Sequence, residues 1–127
     1  MPIRKLRSIN ETLKEIKILD PETAITKYMI ATLIKEQKIY FEKRGNKTLI
    51  DYFEVIRVLG VFYDWLPKIR KISDTVKYLK EKNINITKYK LIKKYDNKEI
   101  SGLRLNNNIY FYLDEINECF NIWVMEI

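Results

Sequence analysis

The feature that most constrains this chain is an internal repeat. Ile25-Thr26-Lys27-Tyr28 returns as Ile86-Thr87-Lys88-Tyr89, 61 residues later, in a protein of only 127 residues. The same offset aligns Ile39 with Ile100, Asn46 with Asn107 and Glu54 with Glu115. It also lays the apolar positions Leu49, Ile50, Val55 and Leu59 over Tyr110, Phe111, Ile116 and Phe120. Upstream the offset is 63, matching Ile9, Thr12 and Leu13 with Ile72, Thr75 and Val76. The change of two residues falls in a connector, Leu19-Asp20-Pro21-Glu22 against Lys82-Asn83-Ile84-Asn85, where a duplicated fold tolerates length differences. A chain of this length holds one modest core or two very small ones. The repeat selects two units, expected at 1–62 and 63–127.

Each copy reads as helix, turn, helix, hairpin, helix. In the first, Ser8 or Asn10 caps a helix with Ile9, Leu13 and Ile16 at helical spacing, and Asp20-Pro21 stops it. Thr26 caps a second helix carrying Met29, Ile30, Leu33 and Ile34. Strands follow at 39–42 and 48–51, joined by Lys43-Arg44-Gly45-Asn46-Lys47, and a third helix spans about 52–59. The second copy repeats the order, with helices at about 73–82, from Thr87 and at about 114–122. Its strands lie at 100–105 and 109–113, its turn is Asn106-Asn107-Asn108, and Asp114 is the cap of the last helix. Between the copies, Val61-Phe62-Tyr63-Asp64-Trp65-Leu66 carries too many aromatics for a solvated tether. It is expected to be an aromatic seam that makes the two units one body.

Composition closes off other classes. There is no His, which removes the commonest general base and most zinc sites. Cys119 is alone and flanked by apolar residues, so it reads as a structural thiol. No paired acids stand at a suggestive spacing and there is no phosphate loop, so an enzyme is not expected, and neither is a cofactor or metal. The N-terminus, Met1-Pro2-Ile3-Arg4-Lys5, lacks the apolar run of a signal peptide, and no stretch approaches a membrane span, so the cytoplasm is the expected location. The 24 Lys+Arg against 17 Asp+Glu leave a net +7, which suits a polyanionic partner.

Two short helices, a hairpin and a closing helix make a winged helix-turn-helix. The fold class expected is therefore α+β, mostly helical, with two such units in tandem. The residues resemble the excisionase/MerR-type DNA-binding domain. There the second helix opens with Thr, ends in a Lys-x-Gly-Lys-Ile pattern and runs into a wing. This chain has Ile25-Thr26-Lys27-Tyr28, then Leu33-Ile34-Lys35-Glu36-Gln37-Lys38-Ile39, then Phe41-Glu42-Lys43-Arg44-Gly45-Asn46-Lys47-Thr48-Leu49-Ile50. Gln37 stands where the family has its helix-terminating Gly, a less favourable but allowed left-handed cap. In the second copy Asn97 is the candidate for that role. The resemblance covers about residues 4–60, and the second copy shares it mainly through its likeness to the first.

The resemblance implies a DNA-contacting second helix and wing. In the first unit the candidates are Thr26, Lys27, Tyr28, Thr32 and Lys35 on the helix and Lys43, Arg44, Asn46 and Lys47 at the wing. Lysines pair with phosphate or guanine, and small residues such as Ala31 and Thr32 allow close approach. For Tyr28, contact with phosphate and packing on the first helix both remain open. In the second unit the candidates are Thr87, Lys88, Lys90, Lys93, Lys94 and, on the wing, Arg104. Residues 67–94 hold ten Lys and Arg against Asp74 and Glu81, a net +8, whereas residues 95–127 are net −4. The basic helices are thus expected to carry backbone binding. The nearly bare second wing leaves dimerisation or a protein partner open for that unit.

The function expected is binding of a specific duplex site as a non-enzymatic regulatory or architectural factor. The resemblance implies a mobile element such as a plasmid, phage or transposon, and a recombinase or relaxase as partner. The competing reading is a protein-interaction module using Phe120, Trp123 and Val124. If both second helices reach DNA, they should stand about one helical turn, ~34 Å, apart.

Overall fold

The computed structural model describes residues 4–60 and 67–122. The chain divides into two compact units, Met1–Leu66 and Pro67–Ile127. The expected boundary at 62/63 and the expected aromatic seam both lie outside the described residues.

The first unit runs β1 (Leu6–Ser8), α1 (Ile9–Leu19), α2 (Lys27–Lys35), β2 (Phe41–Arg44), β3 (Lys47–Asp51), α3 (Tyr52–Gly60). The second repeats this order as β4 (Ile69–Lys71), α4 (Ile72–Glu81), α5 (Lys88–Asp96), β5 (Gly102–Leu105), β6 (Asn108–Tyr112), α6 (Leu113–Cys119). Among the described residues, six helices and two three-stranded antiparallel sheets, ordered β1-β3-β2 and β4-β6-β5, make an α+β fold. The initial strands β1 and β4 correct the sequence reading. Each has three residues and pairs with the last strand of its sheet, Leu6 opposite Asp51 and Ile69 opposite Tyr112. So short a segment shows no alternation. Its conformation is set by the ladder of its neighbour.

Local chemistry fixes the helix starts. Ser8 closes a capping box: its hydroxyl accepts from the Glu11 amide (3.1 Å) while the Glu11 carboxylate accepts from the Ser8 amide (3.2 Å). Thr26 and Thr87 cap α2 and α5 by accepting from the amides of Met29 (3.3 Å) and Lys90 (3.2 Å). The last helix of each unit departs from expectation. Asp51 accepts from the Phe53 amide at the start of α3 (3.0 Å). Asp114, expected as the cap of α6, sits inside its first turn, and Tyr112 precedes the helix with no side-chain bond.

Four helices end alike. Gln37, Asn83, Lys98 and Asn121 all take left-handed φ, between 55° and 63°. At Gln37 the amide reaches the Ile34 carbonyl (3.0 Å) and the Lys38 amide reaches Leu33 (2.9 Å). This is the double bond of a Schellman motif, and the pattern recurs at the other three helix ends. Asn97, expected as the cap of α5, keeps φ −83°, and Lys98 makes the turn instead.

The duplicated positions are the core. Ile16, Ile30, Ile39, Ile50 and Val55 are buried, and so are their counterparts Leu79, Leu91, Ile100, Phe111 and Ile116. Phe120 and Cys119 pack against the second core. Part of the competing aromatic stripe is therefore structural; Trp123 and Val124 lie outside the described residues.

Candidate nucleic-acid interface

Helical periodicity turns Ile30 and Leu33 inward, which leaves Tyr28, Thr32 and Lys35 as the outward stripe of α2. Lys27 and Ala31 flank it and are exposed. Tyr28 is 71% exposed, so packing on the first helix does not account for it. The Lys27 ammonium lies 5.3 Å from the centroid of its ring. Two of the candidates have structural duties. Thr26 spends its oxygen on the cap, and the Thr32 hydroxyl donates to the Tyr28 carbonyl (2.9 Å).

Beside α2 a groove of about 340 Å³ is lined by Ser8 at the end of β1, Ile9 and Asn10 from α1, Lys27, Tyr28 and Ala31 from α2, and Thr48 from β3. The groove joins the start of the first helix, the outer face of the second and the turn end of the hairpin. Ser8, Asn10 and Thr48 were not singled out as contacts by sequence. Ser8 and Asn10 read only as helix caps, and Thr48 only as a strand residue.

The hairpin is tighter than the sequence suggests. Lys43 and Arg44 lie on β2 and Lys47 on β3, so the turn is Gly45-Asn46 alone, with Arg44 opposite Lys47. Gly45 takes the positive φ (+62°) required at the first position of such a two-residue turn. All four candidate hairpin residues, Lys43, Arg44, Asn46 and Lys47, are exposed. Lys47 is near enough to Glu11 to help hold its carboxyl below the usual range, an effect due first to the Ser8 hydrogen bonds.

Arg44 is not a free cation. Its Nε lies 2.6 Å from Glu42 Oε1, and Glu42 Oε2 accepts from the Tyr40 hydroxyl at 2.7 Å. The Arg4 guanidinium covers the Tyr40 ring at 3.8 Å. The Tyr40 bond, with the Arg44 charge, keeps the Glu42 carboxyl below its ordinary range, and the same bond pushes the Tyr40 hydroxyl up. Leu103 and Leu105 occupy the positions of Glu42 and Arg44 in the second unit, both buried.

On α5 the outward stripe is Tyr89, Lys93 and Asp96, with Lys88 and Lys90 exposed beside it. Lys94 does not join this set. It is half-buried, with its ammonium 5.8 Å from the Phe120 ring centroid. Thr87 serves the cap, and Arg104 is exposed on β5. Tyr89, not among the sequence candidates, is 72% exposed beneath the Lys88 ammonium at 5.2 Å. The signal that could have found it is the repeat itself.

Among the described residues, no three His, Cys, Asp or Glu side chains stand together as a metal site, and no helix is long and apolar enough to cross a membrane. No protein-family model, curated protein or solved structure matches the chain.

Proposed function

We propose that the chain is a non-enzymatic duplex-DNA-binding protein of two tandem winged helix-turn-helix units, excisionase-like in kind. It acts as a regulatory or architectural factor of a mobile element, beside an element-encoded recombinase or relaxase. One observation carries the reading: the exposed Lys27, Tyr28 and Lys35 of α2 share the first unit with an exposed cationic hairpin, Lys43 and Lys47, next to a groove lined in part by Lys27 and Tyr28. Lysines at that spacing suit phosphates, and α2 has the dimensions of a helix that enters a major groove. The basic α4 and α5 add backbone attraction, which is salt-dependent by nature.

The alternative is a winged-helix interaction module that dimerises through its second unit. It is favoured by a second hairpin whose strands carry Arg104 as their single cation. Fluorescence anisotropy with a labelled random-sequence duplex at two salt concentrations separates the two readings. Lys27→Glu, Arg44→Glu and Lys93→Glu each weaken binding if the DNA reading holds; unchanged binding removes that face from it.

A further inference from the structure

The helices α2 and α5 have diverged at seven of their nine positions, KYMIATLIK against KYKLIKKYD. The two identical residues are the opening Lys-Tyr. The preceding Ile-Thr is also kept, and the fold explains why. Ile25 is buried and Ile86 packs against the second core, while Thr26 and Thr87 cap their helices. Burial does not explain the Lys-Tyr pair. Tyr28 and Tyr89 are 71% and 72% exposed, among the most exposed large apolar side chains of the described residues. Both rings are turned out on the same side of the helix, each with the preceding Lys ammonium within 5.3 Å of its centroid. Around them the outward stripe has changed character, Thr32 to Lys93 and Lys35 to Asp96. Two identical exposed pairs are thus kept where their neighbours drifted.

We propose that Lys27-Tyr28 and Lys88-Tyr89 are one contact element present twice, and that each unit uses it on the DNA backbone. The inference rests on the DNA-binding reading and deepens it, because it makes Tyr89 a binding residue and the second unit a DNA-contacting one. An ammonium beside a flat, amphipathic ring suits a phosphate bordered by a sugar. The Lys neutralises the charge while the ring covers the deoxyribose and its hydroxyl donates to a phosphate oxygen. A merely acidic protein surface would supply the charge without the flat neighbour.

The test uses the full chain, a fluorescein-labelled 40-bp random-sequence duplex, and the variants Tyr28→Ala, Tyr89→Ala and both together. Each single change is expected to weaken binding about fivefold, as a lost side-chain contact of modest strength does. Two contacts made at once multiply, so the double variant is expected near 25-fold, about the product of the two. Thermal melts should be unchanged, because neither ring is part of a core. Tyr28→Phe and Tyr89→Phe retain the ring and should recover most of the affinity. An unaffected Tyr89→Ala, or a double variant no weaker than Tyr28→Ala alone, overturns the inference and leaves the first unit as the DNA-binding one. A wild-type chain that fails to shift the anisotropy at low salt overturns the parent reading instead.

Discussion

Arg44 sits at the tip of the cationic hairpin, yet Glu42 occupies it in the free protein. The perturbation that isolates this pair is Glu42→Gln. Glutamine keeps the length of the side chain and an acceptor for the Tyr40 hydroxyl, so the Arg4–Tyr40 stack has no reason to move. What changes is one negative charge and the freedom of Arg44, whose side chain is already 66% exposed. If the hairpin lies on DNA, the released guanidinium neutralises one further phosphate, and the slope of log K against log salt steepens by about 0.9. A fourfold rise in salt, from ~50 to ~200 mM, then narrows the advantage of the variant about 3.5-fold. The assay is anisotropy of a labelled duplex across that range, with Glu42→Gln/Arg44→Gln returning the slope to the wild-type value. Parallel salt lines for wild type and Glu42→Gln refute the reasoning, because they mean that Arg44 reaches no phosphate when free. Folded stability should move little, since the Arg44 end of the pair is open to solvent, which screens it.

Further outcomes follow from the caps, the cores and one titration. Gln37→Gly and Lys98→Gly relieve left-handed side chains and should each stabilise the fold by about 0.5–1 kcal/mol in chemical denaturation; a loss would mean that these caps carry no strain. The buried Thr12 hydroxyl has no hydrogen-bond partner whereas its counterpart Thr75 donates to the Lys71 carbonyl (2.8 Å). Thr12→Val should therefore be neutral or stabilising, and Thr75→Val should cost about 1 kcal/mol in the same assay. Glu11, held below its ordinary range by Ser8, contributes stability above its unfolded-state pKa that is lost as pH falls through the lowered folded-state value. Melts of wild type and Glu11→Gln should converge on acidification; a constant gap would exclude the capping box as their difference. Gly102→Ala should destabilise the second unit measurably, because a Cβ there would stand 2.7 Å from the Tyr110 carbonyl oxygen.

The legible part of this fold was whatever repeats or follows a period. The capping threonines, the stop at Asp20-Pro21 and the paired core positions could all be read from residue type and spacing. What escaped was decided by partners distant in sequence. Leu6–Ser8 and Ile69–Lys71 are strands because β3 and β6 offer them a ladder. Asp51, not a residue inside α3, reaches the Phe53 amide because the strand delivers it there. The candidate interface was legible as a set of outward lysines. Its geometry was not: sequence could not tell that Glu42 ties Arg44, that Lys94 rests by Phe120, or that Tyr28 is free of the core.

Divergence between the copies has followed the demands of two separate cores, and this limits what the shared surface can mean. In the first unit Ile34 stands on α2 and Phe41 on β2; in the second the large residue is on the helix and the small one on the strand, Tyr95 and Gly102. The exchange is compensatory. The Tyr95 ring lies 3.2 Å from where a Gly102 side chain would begin, and it meets Phe111 edge-on at 6.4 Å. Such swaps show that each unit has been free to repack while remaining folded. Surface positions are freer still, and most have changed, from the charge of the hairpin to the tail of α5. The exposed Lys-Tyr is retained through both kinds of drift, as the proposed contact role in both units requires.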